Sequence, residues 1–218
     1  MLIQSPKVAI FDLGGVLVRI CQTWQEAVAV AGLPTTLPAD GPVLLTDFPA
    51  FNAFQATEIS ESQYLQALAA FVGVSVDRAI DVHVGILCDQ YPGVEDVVNG
   101  LKAAGIRTGC LSNTNAAHWT TMTETDRFAA IARLDYRAGS HELGYAKPDP
   151  RAFQAYIDKF GLQGAEIIYF DDSSTNVEAA RQFGWQAHVV DPLADPPAQI
   201  AAILADWLAV DGARPVTA

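Results

Sequence analysis

The stretch Val8-Ala9-Ile10-Phe11-Asp12-Leu13-Gly14-Gly15-Val16-Leu17 decides the fold. Four apolar residues in a row, β-branched and aromatic among them, read as a buried strand, and the Asp12 carboxylate falls at its end. Two glycines follow, where the backbone can turn tightly and come close to a ligand. An acid at the carboxyl end of a parallel strand stands where open α/β sheets bind ligands. A turn-capping aspartate would look the same in isolation, so the reading depends on the rest of the chain.

Three later segments carry matching chemistry. Gly109-Cys110-Leu111-Ser112-Asn113-Thr114 ends an apolar run with a hydroxyl and an amide. Gly144-Tyr145-Ala146-Lys147-Pro148-Asp149-Pro150 places a lysine just before a proline-started helix. Ile167-Ile168-Tyr169-Phe170-Asp171-Asp172-Ser173-Ser174-Thr175-Asn176 closes a second buried strand with two acids.

In these four segments, in this order, the chain resembles the haloacid dehalogenase-like (HAD) hydrolase superfamily, in its phosphatase branch. The resemblance implies an α/β fold, a doubly wound parallel sheet (Rossmann-like core) with a small inserted helical-bundle cap. It implies Asp12 as nucleophile and first metal ligand, Asp172 as a second, Asp171 as a supporting acid beside it, and the Gly14 carbonyl as a third protein ligand. Ser112 matches the phosphate-binding hydroxyl, Asn113 adds a backbone N–H beside it, and Lys147 neutralises phosphate charge and orients Asp12. The implied cofactor is Mg²⁺.

Composition narrows the partners. The net charge of −12 over 218 residues argues against nucleic acid, which needs a basic face. A small phosphorylated metabolite is compatible, since one local lysine can serve it. Three cysteines, Cys21, Cys88 and Cys110, cannot all pair and form no CxxC, which favours a reducing, cytoplasmic compartment. No apolar run reaches the length of a membrane span, and 200–210 reads as an amphipathic helix containing Asp206. A monomer or a homodimer fits equally.

The organisation follows from spacing. After the first strand, 8–12, the next strand candidate is 106–111, and the residues between look helical. A helix is expected over 23–31, then a proline-punctuated loop, and Phe48, Phe51 and Phe54 at turn spacing as a core stripe. Ser60-Glu61-Ser62-Gln63 has capping-box spacing and opens a helix ending at Gly73. A further helix is expected over 75–89, carrying Ile80, Val84 and Leu87. From Tyr91 onward helix and strand alternate: helices over 94–104, from Pro150 to Gly161 and over 174–183, and a strand over 187–190. Alternation of this kind implies a parallel sheet covered on both faces. Residues 1–19 and 91–218 are expected as the α/β catalytic core, and 20–90 as the helical cap.

The interval from Asp12 to Ser112 is 100 positions (112 − 12), against 35 from Ser112 to Lys147 (147 − 112), so only the first has room for a cap. Trp24, Phe51 and Tyr64 within it read as core.

The resemblance implies the chemistry of a phosphate monoester hydrolase. An ionised aspartate attacks phosphorus to form an acyl phosphate, and a divalent cation offsets the repulsion between two anions. Family phosphatases mostly carry a second aspartate two residues after the nucleophile as general acid–base; here that position is Gly14. Leaving groups that need no protonation, such as a sugar's anomeric oxygen, suffer least, and Asp-Leu-Gly openings occur among sugar-phosphate phosphatases. His118 could approach the site as a substitute, or cap a helix. Two other readings stay open: a metal-independent 2-haloacid dehalogenase, and a phosphate-binding regulatory domain with attenuated turnover.

Overall fold

Strand β1 (Val8–Phe11) is wholly buried, as its unbroken apolar run requires. Each such side chain removed from water contributes roughly 1.5–3 kcal/mol before entropy is charged against it. In this computed structural model residues 7–55 and 58–212 are described, the side chains of 206–212 excepted. The chain divides into two compact units, Met1–Arg19 with Asp89–Ala218, and Ile20–Cys88.

Strand β2 (Val18–Ile20) leads into the smaller unit. Its helices are α1 (Trp24–Val30), α2 (Pro49–Gln55), α3 (Glu61–Val72) and α4 (Val76–Gly85). Capping boxes start α1 at Thr23/Glu26 and α3 at Ser60/Gln63, and Gly73 in the left-handed conformation ends α3. The core of this unit gathers Trp24, Phe48, Phe51, Tyr64, Leu68 and Val72, with Phe54 stacked on Tyr64.

Helix α4 is shorter than the spacing predicts. It ends at Gly85, and Leu87–Gln90 form strand β3, paired with β2. Its buried face is Ala79, Val82 and His83 rather than Ile80 and Val84. A histidine fits there because its Nδ1 lies 3.0 Å from the Tyr64 hydroxyl. The Cys21 and Cys88 Cα atoms are 5.9 Å apart and the two residues form a disulfide, while Cys110 is free and buried. Cysteine usage therefore no longer argues for a reducing compartment.

The larger unit continues with α5 (Val94–Ala103), β4 (Arg107–Ser112), α6 (Ala116–Glu124), α7 (Ala129–Ala132) and β5 (Tyr136–Gly139). Then come α8 (Ser140–Leu143), α9 (Pro150–Phe160), β6 (Ile167–Asp171), α10 (Ser174–Gln182), β7 (Gln186–Val189) and α11 (Pro196–Gly212). The sheet order is β5-β4-β1-β6-β7, every pair parallel. Strand β5, four residues on an edge with Tyr136 and Arg137 half-exposed, lacks the apolar run that marks β1 and β6.

Helix α9 starts from Asp149 as N-cap with Pro150 at its first position, and stops at Gly161. Its Phe153 and Tyr156 pack with Ile10, Leu111 and Tyr169 of the sheet and Val177 of α10. Strand β1 sits at the centre, where strand order reverses, so the loop after Phe11 opens into the crevice such sheets use for ligands. Among the described residues no helix is long and apolar enough to cross a membrane. The side chains of the last part of α11, including Asp206, lie outside the described residues.

Candidate active site

Register brings the acids together. Phe11 lies level with Cys110 on one side and Phe170 on the other, and the Asp12 N–H donates to the Phe170 carbonyl at 2.8 Å. Asp12 thus leaves β1 beside Asp171 at the end of β6, with Ser112, buried, at the end of β4. Oxygens of Asp12, Asp171 and Asp172 all lie within 4.8 Å of one another.

Lys147 reaches this point from the segment between α8 and α9. Asn113 holds it there: its Oδ1 accepts from the Lys147 N–H and its Nδ2 donates to the Lys147 carbonyl, both at 2.8 Å. The Asn113 side chain is therefore spent on positioning the lysine, which spacing alone does not reveal. The Lys147 Nζ lies 3.0 Å from Asp12 Oδ1 and 2.7 Å from Asp171 Oδ2, with side-chain exposures of 1%, 14% and 0% for lysine, Asp12 and Asp171.

Asp171 is saturated with donors. Its carboxylate accepts from Lys147 Nζ, the Tyr169 hydroxyl, the Ser173 N–H at 2.8 Å and Asn176 Nδ2 at 3.1 and 3.2 Å. Tyr169 shares its face of β6 because side chains alternate along a strand. Its hydroxyl also accepts from Lys147 Nζ at 2.8 Å. Tyr169 and Asn176 belong to the site, though their sequence signal is only their spacing from Asp171.

The electrostatics follow from this crowding. Burial pushes the Asp12 carboxyl up, the Asp171 charge adds to that, and Lys147 opposes both. Burial alone would lower the Lys147 ammonium, but Asp12 and Asp171 outweigh it and raise it. Asp172, the most exposed of the three acids, is pushed up to about 6 by partial burial, then by Asp12 and Asp171. Burial and the neighbouring acids hold the Tyr169 phenol well above its usual range, so it is neutral.

The loop after Asp12 lets Asp172 in. Gly15 adopts φ +75°, its N–H donates to the Val18 carbonyl at 2.8 Å, and Gly14 bridges Val18. A Cβ on Gly15 would stand 2.6 Å from Asp172 Oδ2. His118 lies in the first turn of α6, its N–H donating to the N-cap Asn115 Oδ1 at 3.0 Å, with Asn115 Nδ2 3.5 Å from its Nδ1.

A divalent cation fits these residues. Three carboxylates face one ammonium, and the buried Asp12 Oδ1 has no hydrogen-bond partner, its contact with Lys147 being off the bond line. An all-oxygen set suits a hard ion such as Mg²⁺. Asp12 and Asp172 have free oxygens for it, whereas Asp171 is already bonded by four donor groups.

Known proteins share the sequence pattern and the fold of this chain. A phosphatase of Mycobacterium tuberculosis is 27% identical over 86% of this chain and 88% of its own length. Acyl-CoA dehydrogenase family member 10 of Mus musculus is 26% identical over 98% of this chain, which spans only 21% of that protein. A HAD family enzyme of Bacteroides thetaiotaomicron, solved as a magnesium complex, superposes with a TM-score of 0.65 at 20% identity, covering 87% of this chain and 95% of that one. The family profile for haloacid dehalogenase-like hydrolases matches residues 6–184, most of the larger unit and all of the smaller, and the chain belongs to that family.

Proposed function

We propose that this hydrolase is a Mg²⁺-dependent phosphomonoesterase that cleaves a small phosphorylated metabolite through an aspartyl phosphate on Asp12. The observation that carries the reading is the buried Lys147 bridging Asp12 and Asp171 within a cluster of three carboxylates. Such a lysine opposes the burial that disfavours the nucleophile's charge and offers positive charge to a phosphoryl oxygen.

In the first step an Asp12 carboxylate oxygen attacks phosphorus and the bond to the leaving oxygen breaks. In the second, water cleaves the acyl phosphate, releasing inorganic phosphate and restoring the carboxylate. Lys147 neutralises charge on the transferred group, the Ser112 hydroxyl donates to it, and Asn113 holds Lys147 in place. Mg²⁺, held by Asp12, Asp172 and the Gly14 carbonyl, would supply the remaining charge neutralisation. Asp171 acts through Lys147 as a positioning residue.

With glycine at position 14, the substrates served best are those whose leaving group departs without a proton, such as a sugar 1-phosphate. A panel of phosphorylated metabolites, assayed with and without Mg²⁺ and with Asp12→Asn as the blank, tests the proposal. Mg²⁺-dependent phosphate release abolished in Asp12→Asn supports it. Tight vanadate binding with no turnover of any ester overturns it in favour of a phosphate-binding domain.

A further inference from the structure

Arg19, the middle residue of β2 and the last of the first core segment, is exposed. Among the described residues it is the one Lys or Arg with no ion pair, hydrogen bond or ring contact. Every other described lysine or arginine is engaged, as Lys102 is with Asp135 or Arg133 with Glu95. In a chain of net charge −12, this guanidinium is left without a counter-charge in contact with it.

Its placement is specific. Val18, its neighbour in β2, accepts from the Gly15 N–H at 2.8 Å, and Gly15 is the residue against which the Asp172 carboxylate rests. Tyr91 flanks the same strand: its N–H donates to the Leu17 carbonyl and its hydroxyl to the Pro192 carbonyl, both at 3.0 Å. Its phenol is raised by burial, pulled back by the Arg19 cation and pushed up by Asp172 and Asp191. The strand therefore starts from the loop that carries Asp12 and Gly15, which places Arg19 next to the stretch of backbone that the Asp172 carboxylate rests against.

The geometry points to Arg19 as a specificity-determining residue that receives a second anionic group, carboxylate or phosphoryl, on the leaving-group side of a phosphate monoester. This rests on the phosphomonoesterase reading. Lys147 and the acidic cluster serve the transferred phosphoryl group, and a second anion would otherwise meet the field of an acidic protein. The planar guanidinium fork pairs with two oxygens of either group, and an exposed arginine reorients to do so without breaking a contact of the fold.

The test compares matched esters with Mg²⁺ present: 3-phosphoglycerate against glycerol 3-phosphate for carboxylate, and fructose 1,6-bisphosphate against fructose 6-phosphate for phosphoryl. The wild-type chain is expected to favour the doubly anionic member of at least one pair in kcat/KM, by on the order of 10- to 100-fold. Arg19→Gln should collapse that ratio towards one through a rise in KM, and Arg19→Lys should leave it intermediate. Because the ratio is taken within one preparation, it does not depend on the fraction folded. No preference in either pair, or one that survives Arg19→Gln, overturns the inference. Should p-nitrophenyl phosphate also resist hydrolysis, the phosphomonoesterase reading fails with it; turnover of that ester without any preference overturns the role of Arg19 alone.

Discussion

The Tyr169 hydroxyl lies 2.8 Å from Lys147 Nζ and donates to Asp171 Oδ2, so one fully buried phenol joins the cation of the site to its deepest anion. The ammonium is thereby held from below by groups that a substrate never touches. Its remaining direction is towards Asp12.

Removing that hydroxyl should loosen the lysine without emptying the core. Tyr169→Phe is expected to lower kcat by on the order of 10-fold, and stability by about 1–2 kcal/mol in urea unfolding, the scale of one buried hydrogen bond. Unchanged kcat in a folded variant would show that Asp171 and Asn113 position Lys147 unaided.

Asp12→Asn separates catalysis from stability. Turnover should fall by at least on the order of 10³-fold, since the proposed nucleophile is gone. Without Mg²⁺ the variant should melt above the wild-type chain, because three acids crowd one ammonium and burial already disfavours the Asp12 charge. A lower Tm would mean that the Asp12–Lys147 attraction outweighs the repulsion.

Asp172 sets a pH dependence with a definite sign. Its folded pKa, about 6, exceeds the ordinary carboxylate value near 4, so the folded chain binds more protons between those values. Metal-free stability from this group is therefore present at low pH and lost as pH rises from about 4 through 6. Mg²⁺ competes with that proton, so the Mg²⁺ concentration for half-maximal activity should climb by up to about tenfold per pH unit below 6. A Mg²⁺ requirement that stays flat from pH 5 to 7 would remove Asp172 as a ligand.

Gly15→Ala tests the entrance to the metal site. The φ of +75° disfavours a side chain, and its Cβ would press on the Asp172 carboxylate. A loss of about 1–3 kcal/mol is expected, together with loss of the thermal shift induced by Mg²⁺. A Mg²⁺ response equal to that of the parent would show that Asp172 binds metal from another position.

Much of this molecule is written in local patterns. Runs such as Val8–Phe11 and Ile167–Phe170 announce buried strands, Asp149-Pro150 and Ser60 to Gln63 announce helix starts, and alternation after Tyr91 implies a parallel sheet. Those signals survive because capping and burial depend on neighbours a few residues away. Strand β5 and the strand at Leu87–Gln90 escaped, since short strands at an edge or a chain crossing carry no long apolar run.

What chain order alone determined was which residue types stand at the strand ends, Asp12, Ser112, Asp171 and Asp172, and that Lys147 stands just before a proline-started helix. Tertiary structure alone decided what each one touches there. Parallel register set Asp171 beside Asp12, a side-chain amide 34 positions away clamped Lys147, and Tyr169 proved to be a partner of the cation rather than only a core aromatic. The same holds for Cys21 and Cys88, separated by 67 positions yet adjacent in space. The physical reason is that hydrogen bonds and charge act over a few ångströms, and only the folded sheet brings distant residues that close.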